Sequence, residues 1–146
     1  MRSPRSIRFE DVVAERLTSY VARHPGSTRS SVAARFVDEG LRMEEFPGVI
    51  FRDGPAGRRA TLVGGPDVWE VIRAVRSART AEPELSEDDV LALVAENSGV
   101  PLRLVRTAVD YWSAYPAEVD ALVEHADRVE TGRRVARERA RDLLAP

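Results

Sequence analysis

Ile7 and Phe9 alternate with Ser6 and Arg8, the period-2 signature of a short half-buried strand. From Asp11 to His24, Val13, Leu17, Tyr20 and Val21 recur at helical spacing and form one stripe. Pro25-Gly26 breaks the chain. Thr28-Arg29-Ser30-Ser31 then opens a second helix, with Val32, Ala33, Phe36, Val37, Gly40 and Leu41 on one face. A lone strand of four or five residues does not stand in water, and two short helices do not cover it. A second copy solves both problems: two strands pair antiparallel and four helices close a core beneath them. Residues 1–45 are therefore expected to form an obligate homodimer.

The grammar changes at Phe46. Val49–Arg52 and Arg59–Val63 are strand-like, and Asp53-Gly54-Pro55-Ala56-Gly57 between them has turn composition, so a hairpin is predicted. Pro66 is placed to start a helix whose stripe is Val68, Val71, Ile72 and Val75, running to about Ser77 with Trp69 at its flank. Ser86 with Asp89 resembles a capping box, and Glu87, Asp88 and Asp89 suit a helix N-terminus. Val90, Leu91 and Val94 face inward until Asn97-Ser98-Gly99 ends that helix. Pro101 begins another, with Leu102, Val105, Ala108, Val109 and Trp112 inward. After Pro116 a third stripe runs through Val119, Leu122, Val123 and Ala126. Beyond Val129 the chain is rich in arginine and poor in large apolar residues until Leu143-Leu144. The fold class is thus mainly α: a dimeric N-terminal unit (1–45), a hairpin with a trihelical domain (46–128), and an Arg-rich C-terminal helical tail (129–146).

Charge changes this picture more than composition does. The 146 residues carry a net charge of −2, which is unpromising for a partner of nucleic acid. The distribution says otherwise. Residues 1–9 hold three arginines and no acid, residues 46–80 six arginines against three acids, and residues 81–146 eight against fourteen. Nucleic-acid contact is expected in the first half, where a dimer doubles the basic arm and Arg2 and Arg5 can reach phosphates. The absence of cysteine excludes disulfides, thiol catalysis and zinc-thiolate sites. No run is long enough to span a bilayer, and no apolar signal core follows the basic N-terminus, which predicts a cytoplasmic protein.

Candidate chemistry is sparse. His24 sits at a helix end, where a cation complements the dipole, and His125 on an exposed helix face; neither has a Cys/His or His/Asp spacing. Glu87-Asp88-Asp89 point in different directions from one helix, so dipole charges are a better reading than a metal cluster. Gly64-Gly65 lacks the remainder of a phosphate loop. No nucleophile stands with a base. The expectation is a non-enzyme with no cofactor and no metal. Arg103 and Arg106 share an outward helix face that would meet a groove, but Asp110 lies beside them.

Ser6-Ile7-Arg8-Phe9, Val13-Ala14-Glu15-Arg16-Leu17 and Gly26-Ser27-Thr28-Arg29-Ser30-Ser31 resemble the ribbon-helix-helix family of bacterial repressors and antitoxins. The resemblance implies a two-stranded ribbon in the major groove of an operator, with Ser6 and Arg8 reading bases, Ile7 and Phe9 in the core, and Thr28 and Arg29 gripping a phosphate. The chemistry agrees: Arg pairs bidentately with guanine, and free N–H groups at a helix start attract phosphate. Phe46-Pro47-Gly48-Val49-Ile50-Phe51, Val68-Trp69-Glu70-Val71-Ile72, the Ser86–Val94 helix, Val105–Tyr111 and Pro116-Ala117-Glu118-Val119 resemble the bacterial family called domain of unknown function four-three-three. That family has a hairpin and a helix-turn-helix-like trihelical core, and it is regarded as the antitoxin of a PIN-like ribonuclease toxin. Its Gly-rich hairpin phrase is matched only loosely by residues 52–59. Together the resemblances imply a type II antitoxin that neutralises such a toxin and autorepresses its operon. Arg133, Arg134, Arg137 and Arg141 of the tail are then expected to pair with the toxin's acidic site, ordering on binding; Arg52, Arg58 and Arg59 of the hairpin are the other candidates. The alternative is a stand-alone transcriptional regulator with a sensing or interaction domain at its C-terminal end.

Overall fold

The computed structural model describes residues 3–146 and is mainly helical, with six α-helices and one two-stranded antiparallel sheet among those residues. The chain divides into two compact units at Arg42/Met43.

In the first unit, residues 3–10 are exposed, without regular secondary structure, and belong to no ladder. The strand expected over residues 6–9 is therefore absent from the single chain, which offers that segment no neighbouring strand. Ile7 is 67% exposed rather than buried. Helix α1 (Asp11–Ala22) ends two residues before His24. The Arg23 and His24 N–H groups bond back to Tyr20 O and Val21 O at 3.1 Å each, tightening the last turn, and Pro25 forbids continuation. Helix α2 (Arg29–Glu45) starts where Thr28 and Ser31 cap one another: Ser31 N donates to Thr28 Oγ1 (3.1 Å) and Thr28 N to Ser31 Oγ (3.2 Å).

The second unit opens with β1 (Val49–Gly54) and β2 (Gly57–Leu62), in register from Val49↔Leu62 to Gly54↔Gly57. The ladder reaches further than the sequence suggests. Asp53, Gly54 and Gly57 pair, leaving Pro55-Ala56 as the turn, and Gly57 supplies the positive φ (+102°) that closes it. Helix α3 (Val68–Ala81) starts two residues after Pro66 and runs four past Ser77. Asp67, still extended, is its N-cap, and Glu70 reaches back to accept from Asp67 N at 2.8 Å. No breaker intervenes before Glu82-Pro83.

Helix α4 (Glu87–Ser98) is capped by Ser86, which accepts from Asp89 N at 3.1 Å, and stops at Gly99, whose φ is +71°. Helix α5 (Leu102–Ala114) follows after three residues, and α6 (Pro116–Leu144) is one continuous helix. The buried face of α5 is Leu104, Val105, Ala108 and Tyr111, whereas Leu102 is largely exposed and Val109 and Trp112 are only partly buried. The stripe expected from the sequence was centred about a quarter turn off, because Tyr111 rather than Trp112 fills the centre of the unit. The tail is no separate arm awaiting a partner for its order: residues 129–146 continue α6 as far as Leu144, without a break at Val129.

Tyr111 is fully buried and organises the core. Phe46 and Phe51 meet its ring edge-on at 5.4 and 6.4 Å, and Tyr115 lies tilted at 5.0 Å. Its hydroxyl donates to Glu118 Oε2 (2.6 Å) in the first turn of α6. Val49 and Leu62 from the hairpin, Val68, Val71 and Ile72 from α3, and Val119 from α6 complete the cluster.

Gly48 turns the chain from α2 into β1 with φ +105°, and a Cβ there would stand 2.6 Å from Leu104 Cδ2 in the core. Gly48→Ala is expected to destabilise the second unit by about 2–4 kcal/mol, from backbone strain plus overpacking. Urea melts measure this, with Gly132→Ala on exposed α6 as a control expected to be neutral or stabilising by up to ~1 kcal/mol.

Candidate functional site

The first unit is short of cover. Helix α1 has no buried residue. Ile7, Val12, Val13, Phe36, Val37 and Leu41 are all exposed, Leu41 by 59%. Beside this apolar face lies an open groove of about 520 Å³ that gathers Arg5, Ser6 and Arg29 with Ile7, Phe9, Leu17 and Val37. Three of the six residues expected to meet DNA thus share one concavity, while Arg8 and Thr28 lie outside it. Arg8 is exposed and contacts no acid among the described residues. The Thr28 hydroxyl is taken by the cap, so any anion at this helix start meets the N–H groups of Arg29 and Ser30. Arg2 lies outside the described residues. Within the unit, Arg35 donates to Tyr20 Oη (2.9 Å) and lies 4.9 Å over the Phe36 ring. His24 stacks on Tyr20 at 3.9 Å, and its Nδ1 is 2.7 Å from Tyr20 O at the end of α1.

The second unit carries a larger groove, about 900 Å³, between the hairpin turn, the start of α3 and the middle of α6. Arg133, Arg134 and Arg137 line it, together with Arg59 of the hairpin; Arg141, Arg52 and Arg58 do not. Arg59 folds across Gly54, and its Nε bonds Asp67, which also accepts from Trp69 Nε1 at 3.1 Å. Arg73 of α3 holds two carboxylates of α6, Asp127 at 3.0 Å and Glu130. Glu130 is held below the usual carboxylate range, first by the hydrogen bond from Arg73. A second clamp lies nearby. Asp120 accepts from Trp112 Nε1 (2.9 Å) and Arg76 (2.7 Å), and these two donors depress its pKa in that order. Sequence reasoning did not mark Arg73, Trp69, Asp127 or Glu130. Asp127 and Glu130 at i, i+3 announce one helix face, but nothing in the sequence joins them to an arginine more than fifty residues away.

Other candidates are occupied. Asp88 pairs with Arg106 at 2.9 Å, and Asp89 accepts from Ser86 Oγ at 2.8 Å. Among the described residues no group of His, Cys, Asp and Glu is arranged to hold a metal ion, and no helix is long and apolar enough to cross a membrane.

Compared with known proteins, the chain matches no family model, and no curated protein and no solved structure shows a significant likeness to it.

The two clamps give a pH dependence of defined sign. Both carboxylates titrate lower in the folded chain than unfolded, so their contribution is present above the ordinary carboxylate range and is lost as pH falls through the folded values. Between pH 5 and 3 the second unit is expected to weaken more steeply in wild type than in the double variant Asp120→Asn, Glu130→Gln, compared by urea midpoints at each pH.

Proposed function

We propose that the chain is a dimeric DNA-binding antitoxin: its first unit is one half of a ribbon-helix-helix repressor, and its second unit engages a PIN-like ribonuclease toxin. One observation carries the DNA half of this reading. The first unit leaves a continuous apolar face uncovered, next to a basic segment that has no strand partner. A second copy supplies the missing strand and covers the face, and fully burying each such side chain contributes roughly 1.5–3 kcal/mol. Ser6 and Arg8 then stand on the outer face of the ribbon for base contacts, and the start of α2 beside Arg29 takes a backbone phosphate. The toxin half rests on the arginines of α6 and on the resemblance of residues 46–125 to an antitoxin family. No catalytic role is assigned to any residue.

A specific observation keeps the second reading in view. An apolar groove of about 570 Å³ among α3, α4 and α5, lined by Ile72, Val75, Val90, Leu91 and Trp112, has the size and lining of a small-molecule pocket. A regulator that senses an apolar effector would use it. The neighbouring reading frame discriminates: a short PIN-like gene favours the antitoxin.

Three outcomes are expected. Arg8→Ala weakens binding to the protein's own promoter fragment by about 1–3 kcal/mol in a gel-shift titration, without altering the melt; unchanged affinity removes the ribbon from the interface. Ile7→Glu shifts sedimentation from dimer to monomer and abolishes the shifted band. Removing residues 132–146, which spares the Arg73 clamp, keeps DNA binding but frees the ribonuclease on co-expression; full neutralisation by the truncated chain counts against the arm.

A further inference from the structure

We infer that the groove between the hairpin and α6 is a docking site for an acidic, extended segment of a protein partner, with one apolar side chain seated against its apolar lining. This deepens the partner half of the reading above and rests on it only for who the partner is.

Of the groove's arginines, Arg59 and Arg73 are held by the groove's own acids Asp67, Asp127 and Glu130. They are structural: they fix the hairpin to α3 and α3 to α6. Arg133 and Arg137, one helical turn apart, make no ion pair among the described residues, whereas Arg134 pairs with Glu138 at 4.0 Å and also acts on Glu130. The free positive charge therefore lies in one row along α6. Carboxylates are the groups that answer such a row, since a planar guanidinium takes them bidentately.

The lining of the groove decides between a protein and a nucleic acid. Its apolar part includes Trp69, Leu122, Val129 and Pro55. A lining that combines Trp and other apolar side chains with Arg has the composition of a protein interface anchor. A phosphate backbone makes no use of such a lining and would run past Asp127 and Glu130. Arg73, Asp67 and the cap of α3 brace the groove's walls.

A peptide display library of random 12-residue segments, panned against the full-length dimer, tests this. Enriched peptides should carry Asp or Glu around a single apolar residue. They should quench or shift Trp69 emission in a Trp112→Phe background, and Arg133→Glu with Arg137→Glu should weaken them at least tenfold while leaving the melt and the promoter gel shift unchanged. Enrichment of basic or purely apolar peptides overturns the inference. So does unchanged binding to the charge-reversed variant, or equally tight, Trp69-dependent binding of a 12-nucleotide single strand. If the acidic peptides bind but no ribonuclease is neutralised, the groove stands and the antitoxin reading falls; neutralisation with no binding at the groove gives the reverse.

Discussion

Apolar surface that a chain cannot cover by itself must be covered by something else, and that constraint governs the first third of this protein. Helices α1 and α2 offer Val13, Phe36, Val37 and Leu41 to solvent, and the segment before them adds Ile7. Within one chain the Tyr20–Phe36 edge contact and the Arg35–Tyr20 hydrogen bond tie the helices together, but they bury little. Helices of 12 and 17 residues draw their stability from tertiary burial far more than from propensity. The unit leaves that surface open, and residues 3–10 belong to no ladder.

The second unit obeys the same constraint in the opposite way. Tyr111 lets it close on itself, because a single large ring meets the linker residue Phe46, the strand residue Phe51 and the start of α6 at once. Once α5 turns Tyr111 inward, α3 lies over it with Val68, Val71 and Ile72, and the two polar clamps, Arg76–Asp120 and Arg73–Asp127/Glu130, pin α6 along α3 from outside. These ion pairs are exposed, and each is worth little alone. Their importance is geometric: they set where α6 leaves the body, and hence where its arginines stand.

Local signals were legible and long-range ones were not. Ser86, Gly99 and Pro116 marked helix ends in the sequence because capping, left-handed backbone and a missing N–H act within a few residues. The hairpin was legible too, although its turn was read as five residues when only Pro55-Ala56 lie outside the ladder, since glycine composition cannot tell a turn from the pairs that flank it. The inward face of α5 was misread because Trp112 and Tyr111 are adjacent, and apolarity alone favours the residue that in fact uses its indole N–H on Asp120 at the edge of the core. At the candidate site, Arg133, Arg134 and Arg137, expected from the antitoxin resemblance, line the groove, while Arg141 does not. Trp69 is legible in the sequence only as a helix flank and Arg73 not at all, because their place in the groove arises from packing between α3 and α6, which no spacing along the chain encodes.

The continuity of α6 alters what its arginines can do. Residues 116–130 are docked, so the costly nucleation of the helix is already met within the body, and each residue beyond Thr131 need only propagate it. The 14 residues from Thr131 to Leu144 then project about 20 Å as a preformed rod. A disordered arm would lose backbone freedom on binding, and that loss would weaken the interaction. Arg133 and Arg137 instead keep a fixed spacing on one face, and only their side chains have to settle. Gly132, at the point where the rod leaves the docked half, is the poorest helix former in this stretch and weakens the helix there by up to about 1 kcal/mol relative to alanine. The groove side of the junction is held by Arg73, so fraying beyond Gly132 would loosen the row of free arginines while leaving the hairpin and α3 in place.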